Sequence, residues 1–226
     1  MDRCGCDDYA SPIYERDARD DRESYHAAGP DETTRMLLDL IEAEGVDDAT
    51  ILDVGGGIGV IDHELIRGGA RSATIVEASP PYLDAAREEA GQAGLLDRIA
   101  IIDGDFVRLV DDIEAADIVT LDRVICCYPD ADALVSASAG RAKRVYGLVL
   151  PRDRWYVRWA MRLENFTRWL RRDAYRAFAH PNTRIDAQLQ TSGLPIRSEA
   201  QTHWWRIVLY VRDAPLESEA SGVATG

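Results

Sequence analysis

Lysine is nearly absent from this chain. Of 26 basic residues among 226, only Lys143 is a lysine, and 40 acids bring the formal net charge to -14. A lysine base is therefore not expected. The positive field that nucleic-acid phosphates require is also missing, which argues against a general nucleic-acid binder. Long apolar runs are lacking too: none approaches the roughly 20 residues of a membrane-spanning helix. The polar start Met1-Asp2-Arg3-Cys4 carries no targeting signal. Cysteines are few and fall in two close pairs, Cys4/Cys6 and Cys126/Cys127, unlike a secreted disulfide framework. A cytoplasmic protein with reduced thiols is the expectation. Cys-x-Cys and Cys-Cys are not the usual zinc spacings, so no metal is expected, although the four thiols could converge.

What is present is a rhythm of strands and helices. Residues 1–29 are polar and aromatic, with Tyr9, Tyr14 and Tyr25 among charges, and predict short helices packed on a larger body. Pro30-Asp31-Glu32 opens a helix with the apolar stripe Met36, Leu37, Leu40 and Ile41, closed by Gly45. Apolar strands follow at 51–54, 73–77, 99–102, 118–121 and 145–150, with helices between them. That alternation predicts a buried parallel sheet with helices on both faces. Residues 152–179 read as one long helix or two shorter ones, and Pro181-Asn182-Thr183 starts another that Gly193 ends. Runs at 196–201 and 204–211 read as a terminal hairpin, and the tail from Ala214 as disordered.

The first strand runs into Asp53-Val54-Gly55-Gly56-Gly57-Ile58-Gly59. Glycines let a backbone turn sharply and approach a ligand, and the next helix offers free N–H groups. A dinucleotide fingerprint G-x-G-x-x-G would need glycine where Val60 or Asp62 stands, so neither register fits. The spacing is instead acidic-x-G-x-G-x-G, through Asp53, Gly55, Gly57 and Gly59. Glu77 ends the second strand, where a carboxylate can accept ribose hydroxyls or stay a solvated acid.

This loop resembles the first motif of the class I S-adenosylmethionine-dependent methyltransferases. Over roughly residues 48–150 the resemblance implies an α/β, Rossmann-like, doubly wound, mostly parallel seven-stranded sheet with a terminal antiparallel hairpin. It implies an N-terminal helical cap over residues 1–47 and a core over 48–213 with a helical insertion at about 152–180. The implied cofactor is S-adenosylmethionine, held by Asp53, Gly55, Gly57, Gly59 and Glu77. It implies that Asp105 reaches the adenine amino group, that Phe106 lies near the ring, and that Asp122 contacts cofactor or substrate. A polar turn and a core phenylalanine are the plainer account of Asp105 and Phe106.

The acceptor side is less legible. The run after strand four, Asp122 to Asp130, would lie beside the cofactor sulfur, so Tyr128 is a candidate for lining the pocket or orienting a nucleophile. No Asn/Asp-Pro-Pro-Tyr motif stands there, which argues against a nucleic-acid methyltransferase. Among His26, His63, His180 and His203, the candidate base is His26, in the segment that covers the active site in this family. Trp155, Trp159, Leu163, Phe166 and Leu170 recur at helical spacing, with Arg154, Arg158 and Arg162 as a second stripe. That pattern fits a helix packed on the sheet, a cap whose Arg158 and Arg162 bind an anionic or aromatic acceptor, or a helix lying on a membrane surface. The layout is similar to that of the magnesium-protoporphyrin methyltransferases. Methyl transfer to a small molecule, at oxygen, is the expected function. A SAM-binding regulator without catalysis and an NAD-dependent oxidoreductase are the alternatives.

Overall fold

Thr50–Val54 (β1) is an interior strand of a seven-stranded sheet, and Ile51 to Val54 are buried because helices cover both faces. In the computed structural model, which describes residues 12–170 and 176–213, the helices are α1 (Pro12–Ala28), α2 (Glu32–Ala43), α3 (Val60–Arg67), α4 (Pro80–Gln92), α5 (Phe106–Leu109), α6 (Ala131–Ala139), α7 (Trp155–Leu170) and α8 (Asn182–Thr191). The remaining strands are β2 (Ser72–Glu77), β3 (Ile99–Asp103), β4 (Ala116–Asp122), β5 (Ala142–Pro151), β6 (Ile196–Gln201) and β7 (Trp205–Val211). The sheet order is β3-β2-β1-β4-β5-β7-β6. Strands β1 to β5 run parallel, while β7 inserts antiparallel between β5 and β6. The chain leaves β1 toward β2 on one side and returns to β4 on the other. This reversal of strand order opens a crevice at the carboxyl ends of β1 and β4.

Alternation along each strand divides the core. Leu52, Val119, Tyr146, Leu148 and Tyr210 face α6 and α8, with Leu134, Ile185 and Leu189. Ile51, Ile75, Ile118, Val145 and Leu209 face α2, α3 and α4, with Leu37, Ile41, Leu65 and Ala86. Asp31 caps α2 by accepting from the Thr33 and Thr34 amides, so Pro30 stands before the cap.

Some boundaries differ from the sequence reading. The short helices expected before residue 29 are one helix of 17 residues. Tertiary contacts unify it: Ala18 and Tyr25 pack with Ile58, Tyr82 and Ala85, while Arg22 pairs with Glu88 and Glu89 on α4. Among its described residues the insertion carries one helix, α7, and the chain enters α8 through irregular backbone at 176–181. Strand β7 starts at Trp205 because Thr202 turns there, its amide donating to the Trp205 carbonyl at 2.9 Å. The tail from Ala214, and the pair Cys4/Cys6, lie outside the described residues.

Candidate active site

The glycine spacing has a backbone cause. Gly55, Gly57 and Gly59 adopt φ of +67°, +56° and +83°, the left-handed region that an L side chain rarely enters. Gly56 serves differently. A Cβ there would lie 2.8 Å from Asp53 Oδ2 and 3.0 Å from Ile75 Cγ2, so the loop packs too closely for any larger residue. The Gly57 amide turns back and donates to Glu77 Oε2 at 3.2 Å. Glu77 Oε1 accepts from the Ala78 and Ser79 amides, both at 2.8 Å. Burial raises the Glu77 pKa, and the three amides oppose that shift by holding the charged form.

Above this loop lies a cavity of about 640 Å³. Its floor includes Asp53, Gly55 to Ile58 and Glu77. One wall carries Gly104, Asp105, Phe106, Asp122, Arg123, Cys127 and Tyr128, and α1 covers it with Tyr14, Asp17, Asp21, Ser24 and Tyr25. The Tyr128 hydroxyl donates to Asp105, 3.1 and 3.2 Å from its two oxygens, and Asp105 caps α5 by accepting from the Val107 amide. Asp122 accepts from the Thr34 hydroxyl. Arg123, at φ +61°, pairs with Asp122 at 3.1 Å and with Asp31 at 2.6 Å. A non-glycine residue in that conformation is strained, and here two ion pairs and a backbone bond to Val149 hold it.

The methyltransferase domain family model matches residues 51–144. A ribosomal protein L11 methyltransferase of Clostridium botulinum is 33% identical over 105 residues, 45% of this chain and 33% of that protein. Aclacinomycin 10-hydroxylase of Streptomyces purpurascens is 35% identical over 106 residues, covering 46% and 28%. The chain thus spans about a third of the length of these curated relatives. Among solved structures, the magnesium protoporphyrin IX methyltransferase of Synechocystis with bound SAM superposes with a TM-score of 0.67 at 19% identity, over 91% of this chain and 94% of that one. The chain has the fold of the class I S-adenosylmethionine-dependent methyltransferases, with a methyltransferase-domain match over residues 51–144.

Within this methyltransferase fold the sequence-named residues divide into two groups. Asp53, Gly55, Gly57, Glu77, Asp105, Phe106, Asp122 and Tyr128 all line the one cavity, and Gly59 caps α3 just behind it. His26, Arg158 and Arg162 do not reach it. His26 points from α1 toward α4, where its Nε2 lies 2.7 Å from Glu89. Arg158 pairs with Asp153 at 2.8 Å beside a separate small crevice, and Arg162 is exposed. The arginines that do face the cavity are Arg123 and Arg168, the latter from the inner side of α7. Helical spacing alone could not separate Arg168 from its neighbours.

Beneath the loop, two buried carboxyls meet. Asp53 accepts from the Thr120 hydroxyl at 2.6 Å; burial, with Asp122 and Glu77 nearby, pushes its pKa up to about 7 against the opposing bonds of Thr120 and Asp62. Asp62, the second residue after Val60 at the start of α3, is wholly buried against Asp53 and raised well above the carboxylate range. Neither Asp62 oxygen finds a donor among the described residues, and burial beside Asp53 favours the protonated form of Asp62. Sequence reading treated Asp62 only as a non-glycine. The Cys126 thiol donates to the Arg123 carbonyl, and its pKa is raised by the Cys127 contact and burial. Among the described residues no group of three or more His, Cys, Asp or Glu is placed to hold a metal.

Proposed function

We propose that this chain binds S-adenosylmethionine against the Gly55–Gly59 loop and directs methyl transfer to a small acceptor at oxygen. The observation that carries the reading is a single cavity that joins the glycine loop, Glu77 and the Asp105–Tyr128 pair to space beneath α1. When bound, the cofactor supplies the electrophilic methyl group. The residues fit it: the loop at positive φ lets backbone approach the ligand, Glu77 stands ready for ribose hydroxyls, and Asp105 with buried Phe106 suits the adenine side. Asp122 and Arg123 border the reacting end.

The acceptor atom follows from what lines the cavity. Among its described lining residues there is neither histidine nor lysine. A carboxylate or acidic hydroxyl is already ionised near neutrality and needs no base, whereas a neutral alcohol would have to use one of the cavity's carboxylates, such as Asp17 or Asp122. Arg168 offers a cation on the rim for such an acceptor, the role that sequence spacing gave to Arg158 and Arg162. The cover provided by α1 favours a small molecule over a polypeptide.

Incubation of the protein with methyl-labelled cofactor and a metabolite extract tests this. The label should enter a low-mass product as an O-methyl group, released by mild alkali if a methyl ester and retained if an aryl ether. Label confined to macromolecules, or an alkali-stable N-methyl product, would sink the acceptor assignment. Cofactor binding with no turnover in any extract would leave a SAM-binding regulator, and binding of NAD in place of S-adenosylhomocysteine would end the reading altogether.

A further inference from the structure

Helix α7 turns its apolar side away from the protein. Trp155 is 74% exposed, Trp159 and Trp169 60%, Leu170 61% and Phe166 54%. This orientation is anchored. Val157 is buried on the inner side, Tyr156 stacks on His203 with ring centres 4.8 Å apart, and its hydroxyl donates to the His203 carbonyl at 2.8 Å. Asn165 exchanges two hydrogen bonds with the Ala177 backbone. Three of the five tryptophans of the chain therefore stand in water on one helix face, and Trp204 extends the patch by packing against Tyr156.

Charge along this segment indicates what covers it. Residues 152–170 hold five arginines against Asp153 and Glu164, a net +3 in a chain of -14. Arg162 follows Trp159 by three residues and precedes Phe166 by four, so it projects from the middle of the apolar face, and it has no partner among the described residues. The one acid within the helix, Glu164, is held by Arg168 at 2.9 Å. A two-fold contact between copies would press these arginines against their own counterparts, which disfavours self-association through this face. Tryptophan, phenylalanine and leucine interleaved with arginine match instead the boundary between anionic headgroups and acyl chains.

We propose that α7 docks peripherally on an anionic lipid surface, its Trp155–Trp159–Phe166 side entering the headgroup boundary and Arg154 and Arg162 pairing with lipid phosphates. No helix among the described residues is long and apolar enough to cross a membrane, so the helix lies on the surface. Arg168, on the inner side of the same helix, lines the cavity, so docking brings the cavity rim to the lipid.

Flotation of the full chain with phosphatidylcholine vesicles, with and without phosphatidylglycerol, tests the proposal. The protein should float with the anionic vesicles at least ~10-fold more than with the neutral ones, less so at high salt, with a blue shift in tryptophan emission. The triple variant Trp155→Ser, Trp159→Ser, Phe166→Ser should lose flotation while keeping its Tm, because the replaced side chains are exposed. Arg154→Glu with Arg162→Glu should lower anionic-vesicle binding ~10-fold or more and leave the fold intact. Absence of flotation with anionic vesicles overturns the proposal, as does flotation of both variants equal to that of the parent. A concentration-dependent dimer that the triple variant abolishes, without vesicle binding, overturns it in favour of a second copy.

Discussion

The Gly57 amide donates to Glu77 Oε2 at 3.2 Å, tying the glycine loop to the end of β2. Glu77→Ala therefore removes the proposed ribose contact and leaves the Gly57, Ala78 and Ser79 amides without their carboxylate. Losing one charge-assisted bond to the ligand costs about 1.5–3 kcal/mol, roughly 10–100-fold in S-adenosylhomocysteine affinity by calorimetry. A measurable fall in Tm should accompany it. Unchanged affinity would make Glu77 a loop brace only.

Gly57→Val should abolish cofactor binding. No atom within 3.6 Å obstructs a Cβ at this position, so the cost comes from conformation and from filling the ligand space rather than from a clash. Holding a β-branched residue at φ +56° costs about 1–2 kcal/mol or more. Gly55→Ala should destabilise more, because its Cβ would lie 2.6 Å from Val124 Cγ2. Thermal melts with and without S-adenosylhomocysteine separate the two variants.

The Asp53–Asp62 pair makes stability fall with rising pH. Carboxyls whose pKa is raised on folding bind more protons in the native state than in the unfolded one. Their favourable contribution is complete below the unfolded value near 4 and is lost as pH rises through about 7, the value for Asp53. Asp62→Asn removes the second carboxyl. Its Tm should exceed that of the parent by roughly 3–6 °C at pH 8 and by little at pH 5. Equal shifts at both pH values would show that burial does not raise the pKa of these carboxyls.

His26→Ala should leave S-adenosylhomocysteine affinity and methyl transfer within about twofold of the parent, since a half-exposed pair with Glu89 is worth at most ~1 kcal/mol. Arg22 also pairs with Glu89 and keeps that carboxylate occupied. A loss of turnover approaching 100-fold, with affinity kept, would show instead that α1 moves His26 into the cavity during the reaction.

The glycine loop was legible because its determinants are local. Positive φ at Gly55, Gly57 and Gly59 is a demand on single residues, so it leaves a spacing in the sequence. Strand alternation, the acid at Glu77 and the hairpin reading are local in the same sense. The acceptor edge was not legible in this way. Trp155, Trp159 and Phe166 form a stripe that could pack inward or face out, and periodicity is the same in both cases. Only the contacts of Val157, Tyr156 and Asn165 turned that stripe to solvent and Arg168 to the cavity. Likewise, nothing in the chain near Asp62 shows that it meets Asp53, nor anything near His26 that it meets Glu89. Those pairings depend on how α3 lies against β1 and α1 against α4, and helix packing is decided by the whole core at once.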